Sequence, residues 1–402
     1  MKADYDILIA GGGMVGATLA CALGGSSLKV AVIESQVALP VQEDQDLRVS
    51  AITPASQAVF ENIGAWAGIN ASRCGTIEAM HIWEGGSVLN FDSADIGEPC
   101  LAWIVENRSL VTALLERLEQ FSNITLFCPA KLDAVEIDEK AVTVRLADGR
   151  RLRAALLVGA DGADSQVRRA VGIDWTRHDL GQAAIVATVR AERPHARIAR
   201  QHFLPTGPLA LLPLAESHSL SIVWSAETDR AHTLMALDDA GFNKQLQTAS
   251  GDALGTLTVA SERVAIPLAL GFAREYSAHR VALIGDAAHT LHPLAGQGVN
   301  LGILDAAMLS EILLRAATRQ RDLGASPLLR RYERARKGED LGMQALTGGL
   351  RYLFGSNLPG AQHLRAAGLR LSDRLPALKN YFMRRASGVS GELPRLAQRR
   401  PV

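Results

Sequence analysis

Gly11, Gly13 and Gly16 stand in G-x-G-x-x-G spacing directly after the apolar run DILIA (6–10). Glu34 closes a second apolar run, LKVAVIE, 18 residues after Gly16. These residue types at this spacing can hold a dinucleotide. Gly11 permits a tight turn, Gly13 lets backbone approach a pyrophosphate, and Gly16 lets the following helix pack on the strand. The helix start offers free N–H groups and a positive dipole end to phosphate, and an acid near Glu34 suits ribose hydroxyls.

Two further glycine-rich segments follow in order. GADGADSQVR (159–168) reads as a strand, an acidic-glycine turn at Asp161-Gly162, and a helix start that Asp164-Ser165 can cap. GDAAHTLHPLAGQGVN (285–300) follows the strand RVALI and leads into a helix beginning near Gly298. That helix start can aim its positive end at a ring system carrying negative charge. No G-x-S-x-G, no H-E-x-x-H and no cysteine–histidine metal spacing occurs, so hydrolase and metalloenzyme readings fail, and no metal is expected.

These motifs need strands that end at them and helices that start from them, which is a chain of alternating β and α units. The 402 residues suffice for two or three domains. Hydrophobic content of 48% and charged content of 21% are those of a globular protein. No apolar stretch reaches the roughly 20 residues of a membrane span. The run ILIAGGGMVGATLACAL (7–23) mimics a secretion signal, but the acidic Asp4 and Asp6 before it and its glycines argue against one. Cys21, Cys74, Cys100 and Cys128 are far apart in sequence, which fits buried thiols in a reducing cytoplasm. Charge is uneven. Residues 341–402 carry ten Lys/Arg against Asp373 and Glu392, a tail of +8 on a body of −8. Such a tail is a candidate for peripheral attachment to the inner face of a membrane or for an acidic partner, with a solvated helical face as the alternative. It lacks the aromatic interleaving of a nucleic-acid binder.

Taken together, the three motifs resemble those of the group A flavoprotein aromatic hydroxylases with the p-hydroxybenzoate hydroxylase fold. Within them the chain is most similar to the ubiquinone-biosynthesis hydroxylases, through WIVENRSL (103–110), QHFLPTGPLALLPL (201–214), SIVWS (221–225), the third motif and MRRASGVSGELPRLA (383–397). His202 and His292 depart from common spellings of that group. The resemblance implies an α/β fold with a Rossmann-type FAD/NAD(P)-binding domain (1–72, 100–178 and 266–320), an inserted β-sheet substrate domain (73–99 and 179–265) and a C-terminal helical region (321–402). Glycine and proline breakers are expected in that last region at Gly348-Gly349, Pro359-Gly360 and Pro376.

The resemblance also implies roles. Gly11, Gly13, Gly16 and Glu34 would hold the ADP half of FAD, and Arg48 and Arg108 the phosphates or ribityl chain. Asp161 belongs to the cofactor fingerprint, and Asp286 would accept from a ribityl hydroxyl. Gly296, Gln297, Gly298, Val299 and Asn300 would bring N–H groups to the isoalloxazine edge, with Pro293 and His292 near its reactive face. No essential acid or base stands out, and His289 reads as a structural hydrogen bonder.

The implied chemistry is ring hydroxylation of a polyprenylated phenol by O2 through a flavin C4a-hydroperoxide, with C5 as the favoured carbon. The reductant is NAD(P)H or a separate electron-donor protein, because no second G-x-G-x-x-G is present. Other ubiquinone-biosynthesis proteins are expected partners. Water must be excluded, so the pocket should be apolar and built from the strands of 181–225. Phe203, Leu211 and Trp224 are its candidate residues. Two rivals stand beside this reading: a hydroxylase of a soluble aromatic acid, which an arginine or tyrosine clamp in the pocket would favour, and a non-catalytic subunit of a quinone-biosynthesis complex.

Overall fold

In a computed structural model the described residues are 3–37, 46–69, 73–85, 87–291, 297–355, 380, 383, 384, 387, 388 and 393–399. The chain builds three sheets. The first has a parallel core. Strand Tyr5–Ala10 lies between Val30–Ile33 and Arg151–Gly159, with Ile124–Phe127 beyond the former and Val281–Leu283 beyond the latter. Its central residues Ile7, Leu8, Ile9, Val30, Ala31 and Val32 are wholly buried, because helices cover both faces of a parallel sheet and leave no polar row. Strand order reverses at Tyr5–Ala10, and the carboxyl end of that strand is where such sheets bind ligands.

Among the described residues eight helices flank the sheets: α1 (Met14–Ala22), α2 (Pro54–Asn62), α3 (Asn107–Leu118), α4 (Gln166–Ala170), α5 (Thr228–Met235), α6 (Asp239–Ser250), α7 (Gln297–Thr318) and α8 (Ser326–Gly355). α7 packs on α1 through Gly302, where a Cβ would lie 2.6 Å from Val15 and 3.0 Å from the Cα of Gly285. α8 runs through Gly348-Gly349, one of the expected breaks. Glycine lowers helix stability by about 1 kcal/mol without forbidding the conformation.

The second sheet has nine strands, eight of them in the order 289–290, 264–273, 175–191, 219–227, 207–213, 198–204, 79–84 and 87–92. Its long strands cross the expected limits at 178/179 and 265/266. Strand alternation divides it into two surfaces. Ile185, Ala187, Val189, Leu209, Leu211, Ile222 and Trp224 form a core with Leu234 of α5 and with Phe242 and Leu246 of α6. The opposite rows face the first sheet and a small third sheet of strands 49–52, 74–77 and 102–106, against which Met80, Ala199 and Leu212 pack.

Candidate active site

A cleft of about 1260 Å3 opens between the first and second sheets. That exceeds the roughly 300–1000 Å3 of a site for one drug-sized ligand. Gly12, Gly13, Glu34, Arg48 and Arg108 wall one side, and Val186, Thr188, Val264 and Ile266 the other.

Part of the first wall is bare backbone, set by glycines. Gly11 turns at φ +102°, and a Cβ there would lie 2.3 Å from the carbonyl oxygen of Ala160. A Cβ on Gly16 would lie 2.0 Å from the carbonyl oxygen of Gly11. Those two glycines serve packing. Gly13 differs: a Cβ on it meets nothing within 4 Å, and the same holds for Gly298 in the first turn of α7. These are open cradles at two helix starts. Glu34 accepts from the backbone N–H of Gly12 at 2.6 Å and of Gln36 at 2.8 Å, which fixes its carboxylate at the end of the second strand.

Arg48 and Arg108 arrive from separate segments and meet in this wall. Asp46, which the sequence motifs did not single out, joins them by accepting from the N–H of Arg48 at 3.2 Å and of Arg108 at 3.1 Å. The Arg108 bond also satisfies one of the free N–H groups at the start of α3.

Asp161 stands just before α4. Its carboxylate accepts from the Ser165 hydroxyl at 2.5 Å and from the backbone N–H of Gln166 and Val167 at 2.7 and 3.1 Å. It caps α4, because unsatisfied amides at a helix start attract the nearest carboxylate. Ser165 supplies the expected N-cap, accepting from Arg168 N–H at 2.9 Å. Asp164 is exposed. Arg168 then ties the second motif to the third. It is buried over the Trp175 ring and donates to the carbonyl of Ala287 at 2.8 Å.

The third motif turns at Gly285 (φ +61°). Asp286 is exposed while Gly285, Ala287, Ala288 and His289 are buried. His289 is fully buried and bonds Asp305 of α7 through Nε2 at 2.7 Å. Asn300 is buried. Its amide donates to the carbonyl of Ala51 at 2.7 Å and its oxygen accepts from Thr53 N–H at 3.0 Å, so the start of α7 is fastened to α2. Val299 is half-buried. His292, Pro293 and Gly296 lie outside the described residues, as does the side chain of Gln297.

Leu211 and Trp224 are corrected. Both are nearly fully buried in the core beneath α5 and α6, with Trp224 edge-on to Phe242 at 5.9 Å. They sit on the sheet surface away from the cleft. Phe203 has the opposite parity. It pairs with Pro208, whereas its neighbour His202 pairs with Leu209 and bonds α6 through Ala249. The cleft-side rows are instead Val186 and Thr188, Ser221 and Val223, and Ala210 and Leu212.

The open cradles, the fixed acid and the two arginines fit an extended dinucleotide running from Glu34 toward the start of α7. Comparison with known proteins agrees. The FAD binding domain family model matches residues 4–344. Ubiquinone hydroxylase UbiL of Rhodospirillum rubrum is 40% identical over 99% of this chain and 93% of its own. The 3-demethoxyubiquinol 3-hydroxylase of Escherichia coli is 34% identical over 96% and 98%. Ubiquinone biosynthesis monooxygenase COQ6, mitochondrial, of Homo sapiens is 34% identical over 95% and 92%. Among solved structures, P. aeruginosa PqsL in complex with 2-aminobenzoylacetate has a TM-score of 0.77 at 27% identity, covering 91% of this chain and 99% of that one. The chain belongs to the FAD binding domain family and, within it, to the ubiquinone-biosynthesis hydroxylases: it is an FAD-dependent monooxygenase.

Proposed function

We propose that this enzyme hydroxylates the aromatic ring of a polyprenylated phenol in ubiquinone synthesis, with O2 as co-substrate. The observation that carries the substrate class is the second wall of the cleft. Val186, Val264 and Ile266 are its apolar centre, with Thr188, Ser261 and Glu262 beside them. Ala210, Leu212, Ser221 and Val223 continue the same surface, and no arginine or tyrosine stands among them. A soluble aromatic acid needs a cationic or phenolic clamp for its carboxylate. Arg190, at the far end of the cleft, is paired with Glu216 at 2.9 Å and exposed. An apolar wall suits a prenylated ring and keeps water from the oxidising centre.

Bound FAD supplies the oxygen chemistry. This chain's residues bind and orient it. Gly12, Gly13 and Glu34 receive the adenosine half, Arg48 and Arg108 the phosphates, and Asp286 a ribityl hydroxyl. The α7 start, at Gly298 to Asn300, directs N–H groups and a positive dipole end at the ring, which favours negative charge there. A carboxylate such as Asp286 is suited to accept from a hydroxyl, not to move a proton in the ring chemistry. The C-terminal GVSGELPRLA segment points to C5 as the carbon attacked. NAD(P)H or a donor protein reduces the flavin. The intact cradles speak against a non-catalytic subunit, which would have no use for them. The basic tail supports peripheral attachment at the inner membrane face. Among the described residues no helix is long and apolar enough to cross a membrane.

The test is a mass-spectrometric profile of isoprenoid quinones in cells lacking the gene, with and without the gene restored. Accumulation of a prenylphenol short of one hydroxyl-derived group, reversed by restoration, is expected, and its mass identifies the blocked carbon. An unchanged quinone pool, with no second hydroxylase acting at that carbon, overturns the reading.

A further inference from the structure

The stretch Leu283–His289 is gripped from four directions. Tyr332 of α8 donates to the carbonyl of Leu283 at 2.8 Å. Asp305 of α7 accepts from Gly285 N–H at 3.0 Å and bonds His289 at 2.7 Å, both at Oδ2. Arg168 holds the carbonyl of Ala287, and Ala273 N–H that of Ala288 at 2.8 Å. In this stretch the side chain left exposed is Asp286. Asp305 itself is wholly buried, and its second oxygen accepts from Arg336 Nε at 2.7 Å. Arg336 is also wholly buried. It bonds the carbonyl of Leu301 at 3.3 Å and the carboxylate of Glu339.

A buried ion pair is weak support for stability, since desolvation offsets most of its attraction, but it can fix geometry. This one sits at a joint. Its anion comes from the helix whose start faces the flavin ring, its cation from a helix outside all three glycine motifs, and its remaining oxygen grasps the turn that carries Asp286.

We propose that Asp305, paired with Arg336 and His289, is a positioning residue that aims Asp286 at the flavin's ribityl chain, with Arg336 completing the device. Asp305 touches neither cofactor nor substrate in this assignment and acts through residue 286. The inference rests on FAD binding and not on the identity of the phenol, so its failure leaves the substrate reading untouched.

The experiment is a double-mutant cycle on FAD affinity, read by quenching of flavin fluorescence on titration into the flavin-stripped enzyme. Asp305→Asn keeps the volume and removes the charge. In the natural background it should weaken FAD about tenfold, a loss of roughly 1.4 kcal/mol. In an Asp286→Ala background it should change affinity less than twofold, because the side chain it aims is gone. A merely structural role weakens FAD equally in both backgrounds, and that result overturns the proposal, as does no effect in either. If Asp305→Asn does not yield folded protein, Arg336→Lys carries the same cycle with a cation kept in place. Equal losses in both backgrounds, or none, again overturn the assignment.

Discussion

The two walls of the cleft are built by different means. The wall on the first sheet joins bare backbone at Gly12 and Gly13, with the space an absent side chain leaves at Gly13, to the charged side chains of Glu34, Arg48 and Arg108. The wall on the second sheet is side chain, with Val186, Val264 and Ile266 on one surface of strands whose other surface is an equally apolar core. Geometry that only glycine permits leaves a mark in sequence. Geometry that any mid-sized apolar residue permits does not. The first wall is therefore intolerant of single atoms, and the second is tolerant of size but sensitive to charge.

The largest effect should come from separating the two kinds of glycine in the first wall. Gly16→Ala places a methyl 2.0 Å from a carbonyl oxygen that cannot move without opening the turn. A loss of about 3 kcal/mol or more is expected, as for other overpacked sites, and the protein should purify poorly and without flavin. Gly13→Ala meets no protein atom within 4 Å, and residue 13 has an ordinary extended backbone at φ −67°. It should leave the melting temperature of the flavin-free protein unchanged while weakening FAD at least about tenfold, since the methyl occupies the space the pyrophosphate needs. Equal melting losses in the two variants would break the distinction.

The second wall is tested by neighbouring surfaces of the same sheet. Trp224→Ala removes a ring from the core beneath α5 and α6 and should cost about 3–5 kcal/mol, with little change in KM for the phenol. Val186→Asp puts a carboxylate into the half-buried cleft surface. It should cost less stability but raise KM about tenfold or more, because the apolar substrate must then desolvate a charge. Thermal melts and steady-state kinetics on the two variants decide it, and the reverse pattern would place Trp224 in the cleft after all.

How much was legible follows the same division. Gly11, Gly13, Gly16, Glu34, Arg48 and Arg108 could be named from spacing and resemblance, and all but the two packing glycines reach the cleft wall. The cap that Asp161 gives α4 was not legible, since a carboxylate before a helix start serves a phosphate site and a cap with the same spelling. Leu211 and Trp224 were misplaced because alternation tells which residues share a surface, not which surface meets the cleft. Where helices cover one side of a sheet and another domain the other, both rows are apolar and the distinction disappears. Asp305 left a faint trace, a lone carboxylate in the apolar run NLGILDAAM, but its partner Arg336 lies 31 residues away on another helix. Only packing pairs them.

Acid should also take the two halves apart at different points, with the smallest effects of the set. Burial alone would raise the Asp305 carboxyl, but the charges of His289 and Arg336 outweigh it and hold it at about 2, below the ordinary 3.8. A depressed carboxylate contributes stability that is present above about pH 3.8 and is lost as pH falls toward 2. In the second half, His195 is buried, with Nε2 at 2.9 Å from the carbonyl of Glu216 and Nδ1 accepting from Arg197 N–H at 3.0 Å. Those partners fix a neutral ring, and burial pushes its pKa below the ordinary 6.5. Protonation would cost the Arg197 bond, which holds a turn where Ala196 and Arg197 both have positive φ. Its contribution is therefore present above about pH 6.5 and lost as pH falls below that. Urea midpoints of the flavin-free protein measured from pH 8 to 2 should decline in two stages. His195→Gln should remove the earlier stage and Asp305→Asn the later one. A single shared stage, or the loss of both in either variant, would mean that the two walls unfold as one unit and that the contrast between them is one of ligand contact alone.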